Sequence, residues 1–367
     1  MHASGADVIV LGVGGVGSAA LMHLARRGLR TVGFEQHGVA HDRGSSHGGT
    51  RVIRKAYGEG AAYVPLLQRA YELWRELERE SGASLLHLVG CLNLGPREHG
   101  FISGVVESAQ QHGLPHEVLD AAAVRERFPM FAPAPGDVGV FEADAGLLAV
   151  EDCTRAHVSL ALKHGATLRE ERVDELVLER DGVVVNGMRA KKLVVCAGPW
   201  LKSQTWFPEL ARQLTVRRQV QCWFPRTPIS QGLPCFIHFL DERRSFYGLP
   251  AFGARGPKVC QHKDGEVTTA DTVTRETSDT DSDPVRSYLR AHLPGLDAPP
   301  TERKTCLYSM TGDEHFLLGA LPNQPVVVLG GFSGHGFKFA SVLGEIAAEL
   351  VERGESRFEL SLFAPLR

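Results

Sequence analysis

The sequence lacks the features that mark several common classes of protein. Its seven cysteines are odd in number, widely spaced and free of any Cys-x-x-Cys pair, which argues against a disulfide framework and against a zinc ribbon. No stretch is long and apolar enough to span a bilayer. The apolar N-terminal stretch has no basic leading region and is interrupted by glycines, so it does not fit a signal peptide. We therefore expect a cytoplasmic protein with reduced thiols and no membrane partner.

The sequence also has little excess charge. Lysine and arginine total 40 and aspartate and glutamate total 43, which gives a formal net charge of -3 and no electrostatic footprint for nucleic acid. There are no repeats and no low-complexity linkers. What remains is an ordinary globular composition, with 43% hydrophobic and 23% charged residues. A chain of 367 residues predicts two domains, or one domain with a large insertion.

A dinucleotide-binding pattern occupies residues 7–35, DVIVLGVGGVGSAALMHLARRGLRTVGFE. It is typical of a buried strand, a glycine turn, a helix and a second strand. Gly12 permits the tight turn, Gly14 lets a pyrophosphate approach the backbone, and Gly17 lets the helix pack close to the strand. Glu35 ends the second strand, where its carboxylate can accept hydrogen bonds from an adenosine ribose and would repel a 2'-phosphate. The pattern favours FAD or NAD over NADP and does not separate the first two.

Hydrophobic periodicity predicts the remaining elements. Helices are expected at 63–82, 100–111, 121–128, 150–164, 285–293 and 337–352. Strands are expected at 88–94, at three places within 166–195, throughout 216–263 and at 326–329, and an exposed polar loop is expected at 264–284. The alternation within 216–263 indicates a mixed or antiparallel sheet. The last strand, followed by a glycine turn at 330–336 and a helix, indicates a second anion site near the first.

The predicted fold class is α/β, or α+β overall, with two domains. A substrate domain built on the mixed or antiparallel sheet is inserted into a discontinuous, Rossmann-like nucleotide-binding domain. The nucleotide-binding domain is assigned to 1–84, 150–214 and 313–367, and the substrate (catalytic) domain to 85–149 and 215–312.

Three stretches together resemble one family of flavoproteins. They are SSHGGTRVIRKAYGEG at 45–60, KTCLYSMTGDEHF at 304–316 and GFSGHGFKFASVLGEIAAEL at 331–350. They look like the monomeric sarcosine oxidase and N-methyltryptophan oxidase family, and the likeness extends in order over nearly the whole chain. The resemblance implies FAD as the cofactor of the nucleotide-binding domain, attached covalently through Cys306 to the 8α carbon of the flavin. On its own Cys306 would be interpreted as a buried core thiol, but a nearby cation would favour the thiolate that attachment needs.

The resemblance also implies roles for four cationic or titratable residues. Arg54 and Lys338 match the family's pair that binds the substrate carboxylate. We expect Lys338 in the first turn of a helix, where a cation is unfavourable to the helix dipole and an anionic partner would be favourable. Lys258 matches the lysine that activates oxygen, and His262 matches the histidine that influences ionisation of the substrate. Their even separation predicts that both lie on one face of a strand.

Further residues complete the predicted site. His47 and Arg51 resemble residues packed over the flavin ring, where Arg51 could lower the pKa of the cysteine or stabilise an anionic flavin, and Tyr247 and Tyr308 match aromatic residues of the substrate pocket. The predicted catalytic residues are Lys258, His262, Arg51, Tyr247 and Tyr308, and the predicted substrate-binding residues are Arg54, Lys338 and Tyr247. The predicted cofactor-binding residues are Cys306, Gly12, Gly14, Gly17, Glu35, His47, Arg51, Val173, Gly198, Gly334, Gly336 and Lys338. No metal ion is expected.

The resemblance implies an FAD-dependent oxidase of N-methyl (secondary) amino acids, nominally sarcosine. The amine becomes an imine that hydrolyses to an aldehyde and an amino acid, and O2 is reduced to H2O2. The chain departs from the family pattern at the DERRS turn 241–245, at His238, and at Ser46, Gly49 and Gly319. These departures leave larger substrates open, such as N-methyltryptophan or a cyclic imino acid.

Other functions also stay open at this point. They are a flavin dehydrogenase that uses a protein electron acceptor, an NAD-dependent dehydrogenase, and a nucleotide-binding protein without turnover. The expected partners of the leading hypothesis are a small secondary amine and O2. The protein is expected to be a monomer that binds no nucleic acid.

Overall fold

Residues 5–367, the part of the chain that the computed structural model describes, fold around two large β-sheets and a small third one. The α-helices are α1 (Gly15–Arg26), α2 (Val64–Ser81), α3 (Gly100–Gln111), α4 (Ala121–Arg127), α5 (Val150–Lys163), α6 (Pro208–Arg212), α7 (Asp283–His292) and α8 (Ala340–Arg353). The strands are β1 (Ala6–Leu11), β2 (Thr31–Phe34), β3 (Thr50–Ile53), β4 (Leu86–Leu88), β5 (Cys91–Pro96), β6 (Glu117–Asp120), β7 (Asp137–Glu142), β8 (Gly146–Ala149), β9 (Thr167–Arg169), β10 (Leu176–Glu179), β11 (Gly182–Val185), β12 (Met188–Val195), β13 (Thr215–Trp223), β14 (Cys235–Phe239), β15 (Ser245–Leu249), β16 (Lys258–Gln261), β17 (Val267–Thr268), β18 (Glu302–Met310), β19 (Leu317–Ala320) and β20 (Val326–Gly330). No helix in this part of the chain combines the length and the apolar character that crossing a bilayer requires.

The first large sheet carries the predicted dinucleotide-binding pattern. β1 lies between β2 and β12, and β9 and β20 extend the sheet on either side, all in parallel. β19 runs antiparallel on β20, and the hairpin of β10 and β11 runs antiparallel beside β12. Val8 and Val10 of β1 pack into the core that includes α1 and α8, whereas Ile9 and Leu11 pack into a second core across the sheet. Burial on both faces explains why this strand is apolar at successive positions.

The second large sheet has the strand order β17-β13-β16-β15-β14-β5-β7-β6, with β18 also paired to β13. Its pairs are antiparallel except for β5 and β14, which run in parallel. It is therefore a mixed sheet, as the alternating pattern predicted. The β13–β18 pair is nine residue pairs long and places Gln219 opposite Cys306.

The third sheet, β3-β8-β4, joins segments that the sequence assigned to different domains. β3 comes from the predicted nucleotide-binding domain, whereas β4 and β8 come from the predicted substrate domain. β3 carries Arg51 and ends just before Arg54, so this sheet positions both cations. The domain boundaries themselves stay a prediction.

Several predicted elements differ in detail from the observed ones. The strand expected at 88–94 is divided between two sheets, because Gly90, with φ of +73°, turns the chain between β4 and β5. The region 166–195 contains four strands instead of three. The polar segment expected as a loop includes β17 and a 3-10 turn at Asp279–Ser282. The helix expected at 337–352 begins as a 3-10 turn, Phe337–Phe339, and becomes α-helical at Ala340.

Candidate active site

The glycine turn after β1 is shaped to receive a ligand. Gly12 has φ of +87°, and a Cβ there would lie 2.6 Å from the carbonyl oxygen of Cys196. A Cβ at Gly17 would lie 1.9 Å from the carbonyl oxygen of Gly12, so a side chain would push α1 away from the turn. A Cβ at Gly14 would meet no atom of the described chain within 4 Å, so the backbone here faces open space. No side chain of residues 5–367 caps α1, and its free N–H groups can therefore bind an anion.

Glu35 follows β2 and lies beside this turn. Its carboxylate accepts hydrogen bonds from the N–H groups of Val13 and His37, each at 3.0 Å. Burial raises the pKa of this carboxyl group. The two amides fix the carboxylate in a position that lines the large cavity of the protein. The predicted contact of Glu35 with a ribose stays a prediction.

A cavity of about 490 Å³ extends from the glycine turn to residues of the second large sheet. Its volume is within the range of about 300–1,000 Å³ that is usual for ligand sites. The predicted residues that line it are Gly12, Gly14, Glu35, Arg51, Arg54, Val173, Gly198, Tyr247, His262, Tyr308, Gly334, Gly336 and Lys338. The predicted residues outside its lining are Gly17, His47, Lys258 and Cys306. His47, Lys258 and Cys306 lie near Arg51, behind the side chains that form the wall of the cavity.

Cys306 lies in the middle of β18 and is only 1% exposed. Arg51 Nη2 lies 3.5 Å from its Sγ. Burial raises the pKa of the thiol, but the neighbouring His47, Arg51 and Gln221 lower it, and the result is a pKa of about 6. Both ring nitrogens of His47 and both amide atoms of Gln221 are buried without a hydrogen-bond partner among residues 5–367. Unpaired polar groups are costly to bury, and the Cys306 sulfur is the polar neighbour that both of these side chains share.

Lys258 is buried behind the backbone that leads into β3. Its Nζ donates hydrogen bonds to the carbonyl oxygens of Gly48, at 3.0 Å, and Thr50, at 2.7 Å. Burial and then the charge of Arg51 lower the pKa of its ammonium group to about 7. The lysine is therefore held behind the cavity wall by two main-chain carbonyls.

Glu151, in the first turn of α5, holds the same backbone segment. Its carboxylate accepts hydrogen bonds from the N–H of Gly48, at 2.8 Å, and the N–H of Gly49, at 3.0 Å. Both glycines have positive φ, of +88° and +81°. The carboxylate thereby fixes the segment whose carbonyls bind Lys258.

His262 comes directly after β16, and its N–H continues the pairing with β15 by donating to the Ser245 carbonyl at 2.9 Å. It lines the cavity, whereas Lys258 does not, and the expectation that both share one face of a strand stays a prediction. His262 Nδ1 lies 3.3 Å from the hydroxyl of Tyr308, and its ring meets that of Tyr247 edge-on at 5.9 Å. Burial lowers the pKa of His262 well below its usual value, so the imidazole is neutral.

Arg54 and Lys338 lie close together at the cavity wall, and both are buried. Arg54 Nη2 donates to the Glu59 carboxylate at 2.7 Å and Nη1 donates to the Ala56 carbonyl, while its buried Nε–H has no partner in the described chain. Lys338 Nζ donates to the His335 carbonyl at 2.6 Å and to the Tyr57 hydroxyl at 3.2 Å. Burial and then the charge of Arg54 lower the pKa of Lys338 to about 7.

The local structure around Lys338 differs from the expected one. Lys338 lies in the 3-10 turn before α8, and its hydrogen-bond partners in the described chain are two neutral oxygens, while the predicted anionic partner stays a prediction. One of its three ammonium N–H groups is left for a ligand in the cavity. Arg54 likewise keeps a buried Nε–H that no atom of the described chain accepts.

Sequence reasoning missed several residues that the structure brings to the site. They are Tyr57, Glu59, Glu151, Gln221 and His335. Three of them lie within the stretches that carried the family resemblance, but a tyrosine, a glutamate or a histidine in a glycine-rich segment gives no signal of its own. Gln221 could have been noticed by its position on β13, two residues from the partner of Cys306.

The assembled site combines three chemical capacities. The glycine turn and the uncapped helix can bind a pyrophosphate. The acidic thiol of Cys306 can form a covalent bond with an electrophile. The two cations with unused donors can bind a small carboxylate next to the neutral imidazole of His262.

Three comparisons identify similar proteins. The sequence pattern of the family described as FAD dependent oxidoreductase matches residues 7–350. The chain is 40% identical to the monomeric sarcosine oxidase of Streptomyces avermitilis, over 98% of this chain and 97% of the relative. It is 37% identical to the N-methyl-L-tryptophan oxidase of Citrobacter koseri, over 97% of each. The solved structure of NikD, an unusual amino acid oxidase essential for nikkomycin biosynthesis, matches with a TM-score of 0.85 and 29% identity, over 98% of this chain and 97% of NikD.

Proposed function

The chain belongs to the family of FAD-dependent oxidoreductases, and from this premise we propose that it is an oxidase of N-methyl amino acids, nominally sarcosine. The family resemblance, the fold class, the enzyme class and FAD as the cofactor were all predicted from the sequence and are confirmed. The observation that carries the substrate class is the pair of buried cations, Arg54 and Lys338, which both line the cavity and each keep an N–H without a partner in the described chain. A secondary amino acid offers the carboxylate that such a pair binds.

The groups of this chain fit FAD. The open space at Gly14 and the free N–H groups of α1 suit a pyrophosphate. We propose that Glu35 binds the adenosine ribose and that Cys306 Sγ carries a thioether bond to the 8α carbon. FAD, when bound, supplies the acceptor for two electrons and passes them to O2.

Arg54 and Lys338 would hold the substrate by its acid end. The free Lys338 N–H and the Arg54 Nε–H come from different parts of the chain, so a carboxylate between them would be fixed in position and orientation. Because both cations are buried, the attraction is screened less than it would be at the surface.

The positive charges around the cavity also favour the neutral, reactive form of the amine. A hydride equivalent leaves a carbon attached to a neutral nitrogen, and positive neighbours such as Arg51 lower the pKa of a bound ammonium group. The amine loses two electrons and two protons to become an imine, water converts the imine to an aldehyde and an amino acid, and O2 gains the two electrons and two protons as H2O2.

Lys258 and Arg51 would serve the oxygen step. A fixed positive charge stabilises the negative charge that develops on O2 as it is reduced. Lys258 is held by the Gly48 and Thr50 carbonyls, so its charge has a fixed position behind the cavity wall. Without such a charge, a dehydrogenase that uses a protein acceptor would be the better description.

The apolar part of the cavity favours a larger substrate as the second candidate. Phe101, Ile237 and Phe239 line it, and the rings of Phe101 and Phe239 stack at 4.2 Å. An apolar side chain on the substrate would be buried against this wall, which favours binding by about 25 cal/mol per Å² of apolar surface. N-methyltryptophan and cyclic imino acids are therefore alternatives to sarcosine.

A panel of amines read by peroxide formation tests the proposal. Sarcosine, N-methyl-L-tryptophan and L-proline are compared with sarcosine methyl ester, which lacks the carboxylate. We expect peroxide from at least one of the acids and little from the ester. Lys338→Met should raise KM for the active acid, because it removes one of the two carboxylate donors. A flavin-loaded protein that forms no peroxide from any of these amines would overturn the proposal.

We also propose that the enzyme acts as a cytoplasmic monomer on small molecules and binds no nucleic acid. The monomeric state is supported by the name of the relative from Streptomyces avermitilis, and the formal net charge of -3 argues against a nucleic-acid partner. Light scattering coupled to gel filtration should give a mass of about 39.9 kDa plus that of the cofactor, whereas twice that mass would contradict the proposal.

A further inference from the structure

Tyr57 contacts both of the cations that line the cavity. Lys338 Nζ donates a hydrogen bond to its hydroxyl at 3.2 Å. The guanidinium of Arg54 lies over its ring, with the carbon Cζ 4.3 Å from the ring centroid. Tyr57 itself is fully buried, so its ring and its hydroxyl are both fixed. A single side chain thus lies between two like charges and offers each of them an electron-rich surface.

His335 determines which way the Tyr57 hydroxyl points. Its Nε2 lies 3.1 Å from the carbonyl oxygen of Glu314, which can only accept, so Nε2 carries the hydrogen. Burial lowers the pKa of His335 to about 3, so its Nδ1 is unprotonated and acts as an acceptor. The Tyr57 hydroxyl, 2.7 Å from Nδ1, must therefore donate to it. This leaves the lone pairs of the hydroxyl oxygen directed at the donor that remains nearby, the Lys338 ammonium group.

The backbone of His335 completes the arrangement. Its carbonyl oxygen accepts a second hydrogen bond from Lys338 Nζ, at 2.6 Å. Two of the three ammonium N–H groups are thereby paired within the protein, and the third is left for a ligand. Each hydrogen bond in this network has one possible donor and one possible acceptor, so the network has a single stable arrangement.

We propose that Tyr57 and His335 are positioning residues of the carboxylate site, which hold Lys338 and Arg54 at a fixed separation beside the cavity. This inference rests on the proposed function, because it concerns the carboxylate of the proposed substrate. It assigns no proton transfer to Tyr57 or His335. Their role is to hold Arg54 and Lys338, which repel each other, in positions where both can bind the substrate carboxylate.

The charge state of Lys338 depends on every group that faces it. These are the hydroxyl of Tyr57, the ring and carbonyl of His335, the guanidinium of Arg54, the carboxylate of Glu59 and the thiol of Cys91. The hydroxyl of Tyr57 accepts from the charged form, so it stabilises the ammonium group. Binding of an anion should therefore weaken as pH rises through about 7, and removal of the hydroxyl should move this transition to lower pH.

The test measures acetate binding to the flavin-loaded protein by the change in its visible absorption, which requires no turnover. Tyr57→Phe keeps the ring over Arg54 and removes the hydroxyl. We expect its Kd for acetate at pH 6.5 to rise about tenfold, which corresponds to about 1.4 kcal/mol, and the pH transition to move down. Glycine ethyl ester, which lacks a carboxylate, should bind to both proteins equally weakly.

Tyr63→Phe is the matched control. Tyr63 packs against Tyr57 at 5.0 Å between ring centroids and its hydroxyl bonds to a histidine, His315, but it makes no contact with Lys338. The inference is supported if Tyr63→Phe binds acetate with the wild-type Kd and Tyr57→Phe binds it more weakly. Equal Kd values and equal pH transitions in all three proteins would overturn it, and so would equal losses in both variants, because that result would point to general packing.

His335→Leu provides a second measurement if Tyr57→Phe does not fold. It removes the acceptor that directs the Tyr57 hydroxyl and keeps the backbone carbonyl, so a smaller loss of acetate affinity is expected, and no loss would overturn the inference. Failure of the proposed function is distinguishable from these results. It would appear as a wild-type protein that binds acetate with this pattern but forms no peroxide from any N-methyl amino acid.

Discussion

Cys306 differs from the other buried cysteines in the charge that surrounds it. Cys153 and Cys196 are also buried, and burial raises the pKa of both thiols. At Cys306 the neighbouring His47 and Arg51 outweigh burial and bring the pKa to about 6. Burial therefore keeps the thiols of Cys153 and Cys196 protonated, whereas the groups around Cys306 make its thiol acidic.

Replacement of this thiol tests covalent attachment of the flavin. In Cys306→Ala we expect FAD to bind without a covalent bond, so acid precipitation should leave a colourless pellet and a yellow supernatant. Cys153→Ala is the matched control, because its thiol is buried in α5 and its pKa is raised. It should retain a yellow pellet and a protein mass increased by the mass of FAD. A yellow pellet from Cys306→Ala would show that another residue carries the bond.

Lys258 is tested by replacement with an uncharged side chain of similar length. Lys258→Met should lower the rate at which O2 reoxidises the flavin by roughly 100- to 1,000-fold, as expected when one preorganised electrostatic group is removed. Reduction of the flavin by the amine should change little, because Lys258 does not line the cavity. Stopped-flow measurement of the two half-reactions separates these effects.

The control for this change is Lys192→Met, at an exposed position of β12. It should leave both half-reactions unchanged. Slow flavin reduction with normal reoxidation in Lys258→Met would contradict the role proposed for this lysine.

At the scale of the elements, the sequence predicted best what depends on local pattern. The helix expected at 100–111 has those bounds, and the one expected at 63–82 is α2, which ends where Gly82 adopts φ of +71°. Helical periodicity and a terminal glycine are both visible in the sequence. The division between β4 and β5 was missed, because an apolar stretch does not reveal that Gly90 directs its two halves into different sheets.

The packing of α1 on the glycine turn provides a prediction at this scale. Gly17→Ala would place a Cβ 1.9 Å from the carbonyl oxygen of Gly12, so the helix must move away from the turn. We expect a loss of stability of about 1–3 kcal/mol, as for other overpacked sites, and a weaker hold on FAD. Thermal unfolding and the flavin content of the purified protein measure the two effects.

Gly100→Ala is the matched change at the first residue of α3, where a Cβ would meet no described atom within 4 Å. It should leave both the melting temperature and the flavin content close to those of the wild type. Equal behaviour of the two variants would contradict the close packing of α1 on the turn.

At the scale of the whole molecule, the site is assembled from segments that are far apart in the chain. Arg51 lies on β3 of the third sheet, Cys306 lies on β18 of the second sheet, His262 follows β16, and Lys338 precedes the last helix. No periodicity in the sequence indicates that these residues meet, so the family resemblance was needed to predict them as one set. The resemblance did not predict the residues that hold them, such as Tyr57, Glu151 and Gln221, because their roles depend on distances in the folded chain.

The central claim is that this chain takes two electrons from an N-methyl amino acid and delivers them to O2. The most direct measurement adds sarcosine, and then the other amines of the panel, to the flavin-loaded protein without oxygen and follows the visible absorption of the flavin. We expect the yellow colour to disappear with at least one of these amines, and we expect air to restore it, with one H2O2 and one aldehyde formed for each amine consumed. Colour that persists with every amine, or that returns in air without peroxide, would contradict it.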